Sequence, residues 1–142
     1  MKVTLLQIDK TNESNLNEGI SVYQNRLKNY TSFEIITINV PKAVRMRAEK
    51  EQKSEEAKLF QKIIKETDFV VVLDEAGNEL NSVDFSQFLN KKGLQNVKNL
   101  IFLIGGPYGF DEWIYKRANY KMALSKMTFS HQMVRLFFVE QL

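Results

Sequence analysis

Apolar and polar residues follow two different periods along the chain, and the change from one to the other predicts strands that alternate with helices. Short apolar runs of strand length are bounded by turn-forming or charged residues, as is typical of β-strands. Five runs have this character: KVTLLQID, SFEIITINV, DFVVVLD, NLIFLIGG and YKMALS. The runs in DFVVVLD and NLIFLIGG are apolar on both faces, which favours central strands of a parallel sheet with helices on either side.

The first two helices are indicated by apolar residues at helical spacing. One stripe is formed by steps of four and three residues, and a second buried face belongs to a helix that we expect to end near residue 66. The first stripe consists of Leu16, Ile20, Tyr23, Leu27 and Tyr30, and the second face of Ala57, Phe60, Ile63 and Ile64.

The later helices are marked by capping residues as well as by spacing. Ser82 is the expected N-cap of a helix that buries Phe85, Phe88 and Leu89 and ends at Gly93. Asp111 is the expected cap of the short helix EWIYKRA, and Ser130 that of the last helix, MVRLFFVEQL. EAGNEL, between the third strand and the third helix, is predicted to be a turn.

This order of elements predicts an α/β fold: a single compact domain over residues 1–142, with a mainly parallel sheet and helices on both faces. The length and the hydrophobic content of 44% suffice for one core. No apolar run of roughly eighteen residues and no secretory signal is visible, so we expect a cytoplasmic protein without a membrane segment. Zero cysteines and one histidine argue against disulfides, cysteine nucleophiles and a metal site.

The charge balance is mildly basic, with 20 Lys and Arg against 17 Asp and Glu. Part of the excess falls in the segment 41–58, whose first half is expected to be a loop or a single turn. Two interpretations stay open for this segment: a solvated helix face, or an arm that contacts phosphates. The basic side of the segment consists of Lys42, Arg45, Arg47, Lys50 and Lys53.

Candidate chemistry gathers where three strands end. In open α/β sheets, ligands bind beyond the carboxyl ends of the strands. LDEAG, GGPYG and LSKMTF follow three predicted strands, so they are candidates for one shared pocket. GGPYG matches neither the GxGxxG pattern nor a phosphate-binding P-loop, and it serves equally as a plain strand-to-helix turn. Ser125, Lys126 and Thr128 offer donors, although Ser and Thr also act as caps.

The last helix carries the remaining polar candidates. His131 begins it, and Arg135 and Glu140 follow at steps that align them loosely with His131. Each has an ordinary interpretation as a surface or packing residue. The helix is also more apolar than one face of a small domain requires, which indicates either a dimer interface or a central core helix.

VVVLDEAG, FLIGGPYGF and LSKMTFSHQMVRLFFVEQL together resemble the RlmH-type members of the SPOUT class of RNA methyltransferases. The resemblance extends over essentially the whole chain. It implies an α/β domain whose C-terminal part forms a deep trefoil knot, a homodimer, and S-adenosylmethionine as the cofactor. It further implies methylation of N3 of a pseudouridine in 23S ribosomal RNA on the assembled ribosome. Carried over by position, the cofactor contacts are Leu73, Gly105, Leu124, Ser125, Lys126, Met127, Thr128 and Phe129.

One departure from the family concerns the C-terminus. In the family the last helix continues past EQL into a short basic and aromatic tail, which this sequence lacks. We therefore expect His131, Arg135 and Glu140 to be the substrate-side catalytic candidates within this chain. Two rival hypotheses remain: a non-enzymatic ribosome- or RNA-binding module that uses the basic 42–53 arm, and a different nucleotide-dependent α/β enzyme.

Overall fold

The computed structural model describes residues 1–9, 14–105, 109–125 and 131–142, apart from the side chains of residues 45, 131 and 132. Within these residues, strands alternate with helices in the order that the sequence predicts. The strands are β1 (Lys2–Ile8), β2 (Ser32–Ile38), β3 (Phe69–Glu79), β4 (Asn99–Ile104) and β5 (Tyr120–Ala123). The helices are α1 (Ser14–Leu27), α2 (Lys42–Arg45), α3 (Glu49–Ile63), α4 (Ser82–Leu94), α5 (Glu112–Arg117) and α6 (His131–Gln141).

The described strands form one sheet in the order β2-β1-β4-β3-β5, and each neighbouring pair is parallel. The first strand of the chain therefore lies beside the fourth, which places β1 and β4 in the middle of the sheet. The carboxyl ends of parallel strands share one edge, so the segments that follow them meet there.

Each face of the sheet carries its own buried core, because successive side chains of a strand point to opposite faces. On one face, Leu5 and Phe102 pack against α1, α4 and α6, where Phe85 and Phe138 contact Phe102 edge-on or tilted. On the other face, buried residues of β1, β3 and β4 pack against Phe60 of α3 and against residues of α2 and α5. The fold is thus a single α/β domain of three layers, with helices on both faces, as predicted.

The pairing of β3 with β5 is interrupted, in contrast to the rest of the sheet. Leu73 and Asn78 both face Met122, so residues 74–77 leave the regular ladder between two paired stretches. The sequence prediction of a simple turn over EAGNEL is wrong here, because Asn78 and Glu79 still pair with β5. We refer to residues 74–77 as the Asp74 loop.

Two helix ends differ from the predictions. The helix α1 ends at Leu27, so Tyr30 lies in the following turn and is 86% exposed instead of completing the buried stripe. The helix α3 ends at Ile63, because Ile64 adopts an extended conformation with φ −76° and ψ 126°. In both cases apolar spacing continued past the helix end, and the backbone turn decided the boundary.

The caps of α4 also differ from the predictions, whereas that of α5 is confirmed. The side chain of Asn81, not Ser82, accepts the backbone N–H of Asp84 at 2.7 Å. Gly93 lies inside the helix, and Asn96 adopts the left-handed conformation beyond it with φ 61°. Asp111 caps α5 by accepting the N–H of Trp113 at 3.0 Å. Ser130, the expected cap of α6, lies outside the described residues.

The basic segment begins with α2, a helix of four residues and so about one turn long, which agrees with the expected loop or single turn, and it continues as α3. Two of its cations have acidic partners nearby: Arg47 lies 3.8 Å from Glu55, and Lys53 lies 3.9 Å from Glu49. Part of the positive charge of this arm is therefore balanced locally, which is typical of a solvated helix face.

The connection from β5 to α6 runs through residues 126–130, which the structure does not describe, so the trefoil knot stays a prediction from the family resemblance. In the portion of the chain that is described, no helix is both long and apolar enough to cross a bilayer.

Candidate functional site at the carboxyl edge of the sheet

Three segments that the sequence marks as candidates leave the sheet from neighbouring strands. Val72 pairs with Leu103 and Leu73 with Met122, so the end of β4, the end of the first paired stretch of β3 and β5 lie side by side. Gly105 directly follows β4, and Leu124 and Ser125 directly follow β5. The structure therefore brings Leu73, Gly105 and Leu124 to one edge of the sheet. The other four cofactor candidates, Lys126, Met127, Thr128 and Phe129, lie outside the described residues.

Gly105 is a point of close packing within the chain, because a Cβ at this position would crowd its neighbours. A Cβ added at this position would lie 3.0 Å from the carbonyl oxygen of Gly109 and 3.1 Å from the ring of Phe110. Gly109 has a φ of 83°, a conformation that glycine adopts without strain. The backbone of Gly109 thus lies close to Gly105, and we refer to the described residues Gly105, Gly109 and Phe110 as the glycine loop.

Gly77 allows an equally close approach in the Asp74 loop. A Cβ here would lie 2.7 Å from the backbone nitrogen of Met122 and 2.8 Å from the carbonyl carbon of Lys121. These are backbone atoms of β5, which cannot rotate away as a side chain can. Gly77 is therefore required for the Asp74 loop to lie against β5.

The side chain of Tyr115 connects the Asp74 loop with the glycine loop. Its hydroxyl donates a hydrogen bond to Oδ2 of Asp74, and the same hydroxyl lies beside Gly109, where an added Cβ would be 3.8 Å from its oxygen. Oδ1 of Asp74 accepts the N–H of Ala76 at 2.9 Å, which fixes the carboxylate within its own loop. Burial, followed by the hydrogen bond and the charge of Asp74, raises the pKa of Tyr115 well above its ordinary value.

Arg135 is the largest fully buried side chain described, with 0% exposure. Its guanidinium donates a short hydrogen bond to the carbonyl oxygen of Ile8, at the carboxyl end of β1. Burial lowers the pKa of Arg135, while the nearby charge of Asp9 acts in the opposite direction. Gln7 of β1 pairs with Ile104 of β4, so the carboxyl end of β1, to which Arg135 is bonded, lies beside the end of β4 and Gly105.

The three catalytic candidates from the sequence are not brought together as one cluster among the described side chains. Arg135 is enclosed, whereas Glu140 is exposed and accepts a hydrogen bond from the side chain of Gln141 at 2.7 Å. Five residues along a helix correspond to a rotation of about 140°, which explains why the two point in different directions. His131 begins α6, and its side chain is outside the described part of the structure. The catalytic roles stay predictions.

A small polar pocket lies beside this edge, between α1 and the strands β1 and β2. Its volume is about 330 Å³, and the described residues that line it contribute amide, hydroxyl and apolar groups but no charged side chain. Gln7, only 5% exposed, donates to the hydroxyl of Thr37 at 3.1 Å. Such a lining suits an uncharged polar group. The lining residues are Gln7, Asn17, Ile20, Ser21, Gln24, Ile35 and Thr37.

Sequence reasoning missed the roles of Asp74 and Tyr115. Asp74 belongs to the quoted LDEAG segment, so its position at a strand end was a signal that could have drawn attention to it. Tyr115 is separated from Asp74 by 41 residues, and nothing in the local pattern of α5 indicates the contact. Among the residues that the structure describes, no group of three or more His, Cys, Asp or Glu could hold a metal ion.

Comparison with known proteins gives this edge of the sheet a family context. The family model described as "Predicted SPOUT methyltransferase" matches residues 1–142. The chain is 50% identical to the ribosomal RNA large subunit methyltransferase H of Cytophaga hutchinsonii over 142 residues, which cover all of this chain and 91% of that protein. It is 48% identical to the protein of the same name from Christiangramia forsetii and 47% identical to that from Flavobacterium johnsoniae, in both cases over 100% of this chain and 90% of the relative.

The family match and these identities extend over the whole chain, and they agree with the parallel α/β sheet and with the three segments that meet at its carboxyl edge. The chain belongs to the SPOUT methyltransferase family.

Proposed function

We propose that this chain uses S-adenosylmethionine to methylate N3 of a pseudouridine in the 23S RNA of the large ribosomal subunit, and that it acts as a homodimer on the assembled ribosome. The relatives at 46% to 50% identity are named as ribosomal RNA large subunit methyltransferases, which supports the substrate class. The observation that carries the proposal is the convergence of Leu73, Gly105 and Leu124 at one edge of the sheet.

The residues present fit such a cofactor. The absence of a Cβ at Gly105 lets Gly109 and Phe110 pack directly on this residue, so backbone groups of the glycine loop lie close to the strand ends where the ligand is proposed to bind. Leu73 and Leu124 pack against the same core and offer apolar surface, while backbone amides and carbonyls of the loops offer hydrogen bonds to a base. We extend the same role to Ser125, Lys126, Met127, Thr128 and Phe129. When bound, S-adenosylmethionine supplies an electrophilic methyl group on a sulfonium.

The protein itself must orient the acceptor base and assist the loss of its N3 proton. A fixed positive charge near the reacting centre stabilises an anionic base. The guanidinium of Arg135 is buried at the carboxyl end of β1. Its contribution is therefore electrostatic, exerted through the protein and without contact with the RNA. His131, at the start of α6, is the proposed proton acceptor, and Glu140 a proposed substrate-side contact.

The proposed dimer uses the exposed side of α1 and α6. These helices pack side by side, since a Cβ on Gly19 would lie 3.0 Å from the side chain of Leu136. Val22 on α1 is 48% exposed and Phe137 on α6 is 38% exposed, so large apolar groups remain on this side. Sedimentation of the pure chain is expected to show a dimer, and a monomer at high concentration would contradict this part of the proposal.

The decisive experiment offers the chain assembled ribosomes with methyl-labelled cofactor, and the two subunits are separated after the reaction. Label is expected in the RNA of the large subunit only, and mapping of the product identifies the base and the methylated nitrogen. Label in small-subunit RNA, or in no RNA, contradicts the proposed substrate.

A calorimetric titration with S-adenosylmethionine alone tests the cofactor separately. Saturable heat is expected, together with a rise in the melting temperature. RNA binding with a steep salt dependence but without any cofactor binding would favour the non-enzymatic alternative, in which the basic 42–53 arm contacts phosphates.

A further inference from the structure

We propose that Tyr115 is a positioning residue: its hydroxyl joins the Asp74 loop to the glycine loop and holds both in the shape that receives the methyl donor. The inference rests on the proposed function for the identity of the ligand. It concerns a side chain on α5, which is not among the residues that the family resemblance assigns to the cofactor.

The contacts of the hydroxyl carry the argument. As a donor it bonds to Asp74, one residue beyond Leu73, and the Tyr115 ring packs on the ring of Phe110 at the end of the glycine loop. A Cβ built on Gly109 would lie 3.8 Å from the same oxygen, so the hydroxyl lies directly against this loop. One oxygen atom thus connects two segments that are separated by more than thirty residues in the sequence.

The ring is held in place on two sides, which fixes the direction of the hydroxyl. It packs edge-on against the ring of Phe110, with the centroids 5.8 Å apart. The ammonium group of Lys121 lies 4.7 Å from the centroid of the Tyr115 ring. A ring fixed in this way loses little further freedom when its hydroxyl bonds to Asp74, so the connection is rigid.

The joined loops are those that leave β3 and β4 next to the proposed cofactor contacts. Leu73 precedes Asp74 directly, and Gly105 begins the glycine loop. If the hydroxyl is removed, the two loops are free to move apart. Binding of the cofactor must then restrict both loops to one conformation. Such an ordering cost appears as weaker binding, without the loss of any contact to the ligand itself.

The test compares Tyr115→Phe with Tyr30→Phe, in which the hydroxyl is removed from a side chain that is 86% exposed. Loss of one buried hydrogen bond corresponds to roughly a tenfold weaker affinity for S-adenosylmethionine, measured by calorimetry. The Tyr30→Phe variant is expected to bind as the unmodified chain does. The melting temperature of each cofactor-free variant shows that it is folded.

A second variant, Asp74→Asn, keeps the size of the side chain. Its single carbonyl oxygen cannot serve both Ala76 and Tyr115, but its amide group still offers a donor toward the hydroxyl. Its affinity is therefore expected to fall between those of the unmodified chain and Tyr115→Phe.

Hydrogen exchange of the cofactor-free protein tests the connection without any ligand. In Tyr115→Phe, the amides of residues 75–78 and 109–111 are expected to exchange faster, while those of β1 and β4 keep their rates. Unchanged exchange in both segments would overturn the proposal, as would a lower melting temperature combined with unchanged cofactor affinity. If the unmodified chain binds no S-adenosylmethionine, the proposed function fails, whereas the exchange result still decides whether Tyr115 joins the loops.

Discussion

The two halves of the sheet are built in different ways. In the half formed by β2, β1 and β4, pairing is continuous, from Lys2 with Ser32 to Ile8 with Ile38 and from Lys2 with Asn99 to Gln7 with Ile104. In the other half, β3 and β5 pair twice with a shift between, and residues 74–77 leave the ladder. The regular half supplies most of the buried strand residues, while the irregular half supplies the Asp74 loop, which is part of the proposed ligand site.

The residue types explain this difference. Runs such as NLIFLI in β4 fill both faces with large apolar side chains, which require uninterrupted pairing to stay buried. Asp74, Glu75, Ala76 and Gly77 have little to bury, so their backbone is free to form a loop. Continuous pairing and loop formation are thus separated along the sheet, and substitutions in the two halves should have different effects.

The largest expected effect lies in the regular half. Phe102 in β4 is fully buried, and its ring lies 4.6 Å from that of Phe138, centroid to centroid. Phe102→Ala leaves a cavity in the middle of the core, so the free energy of unfolding should fall by about 3–5 kcal/mol. Denaturant titration measures this loss. Leu94→Ala, at a side chain that is 85% exposed, is the control and should change stability by less than about 0.5 kcal/mol.

A smaller loss is expected when the buried cation is removed. Arg135→Met keeps an extended side chain but withdraws the donor from the carbonyl oxygen of Ile8. A hydrogen bond from a charged group contributes about 1.5–3 kcal/mol, so the free energy of unfolding should decrease by that amount. An increase in stability would show that burying the charge costs more than its hydrogen bond returns.

The two glycines Gly77 and Gly93 sharpen the comparison further. Gly77→Ala brings a methyl group against backbone atoms of β5, which must shift, so a loss of about 1–3 kcal/mol is expected together with weaker cofactor binding. Gly93→Ala meets nothing within 4 Å and lies inside α4, where alanine favours the helix. This substitution should stabilise the protein by about 0.5–1 kcal/mol. Equal effects of the two substitutions would contradict the close contact between Gly77 and the backbone of β5.

The smallest expected effect is a pH dependence of the Tyr115 contact. Because the pKa of Tyr115 is higher in the folded than in the unfolded chain, its contribution is complete below about pH 10 and declines as the pH rises toward the folded pKa. The difference in melting temperature between the unmodified chain and Tyr115→Phe should therefore be constant from pH 7 to about 9 and shrink above pH 10. If the difference in melting temperature grew above about pH 10 instead, the pKa of Tyr115 would be lowered by folding, not raised.

Periodicity predicted the strands and helices well, since both depend on which residues must be buried. The five strand-length runs and the alternation of elements are confirmed, as is the Asp111 cap. The errors lie at ends: Tyr30 and Ile64 continue an apolar stripe, but hydrogen bonding of the backbone ends the helix before them. Asn81 and Ser82 are both good caps, and their order alone does not decide between them.

The site was only partly accessible from the sequence. The strand-end rule predicted that Leu73, Gly105 and Leu124 lie at one edge, because parallel strands share it. The hydrogen bonds of Tyr115 with Asp74 and of Arg135 with Ile8 depend on how separate elements pack, which no local pattern encodes. The roles of the proposed site residues, including His131, stay predictions until binding and activity are measured.

The contact between Arg135 and Ile8 joins residues that are 127 positions apart. β1 is made well before its neighbour β4, and Arg135, which holds the end of β1, is made later still. Because β1 and β4 in the middle of the sheet are distant in sequence, we expect their pairing to slow folding.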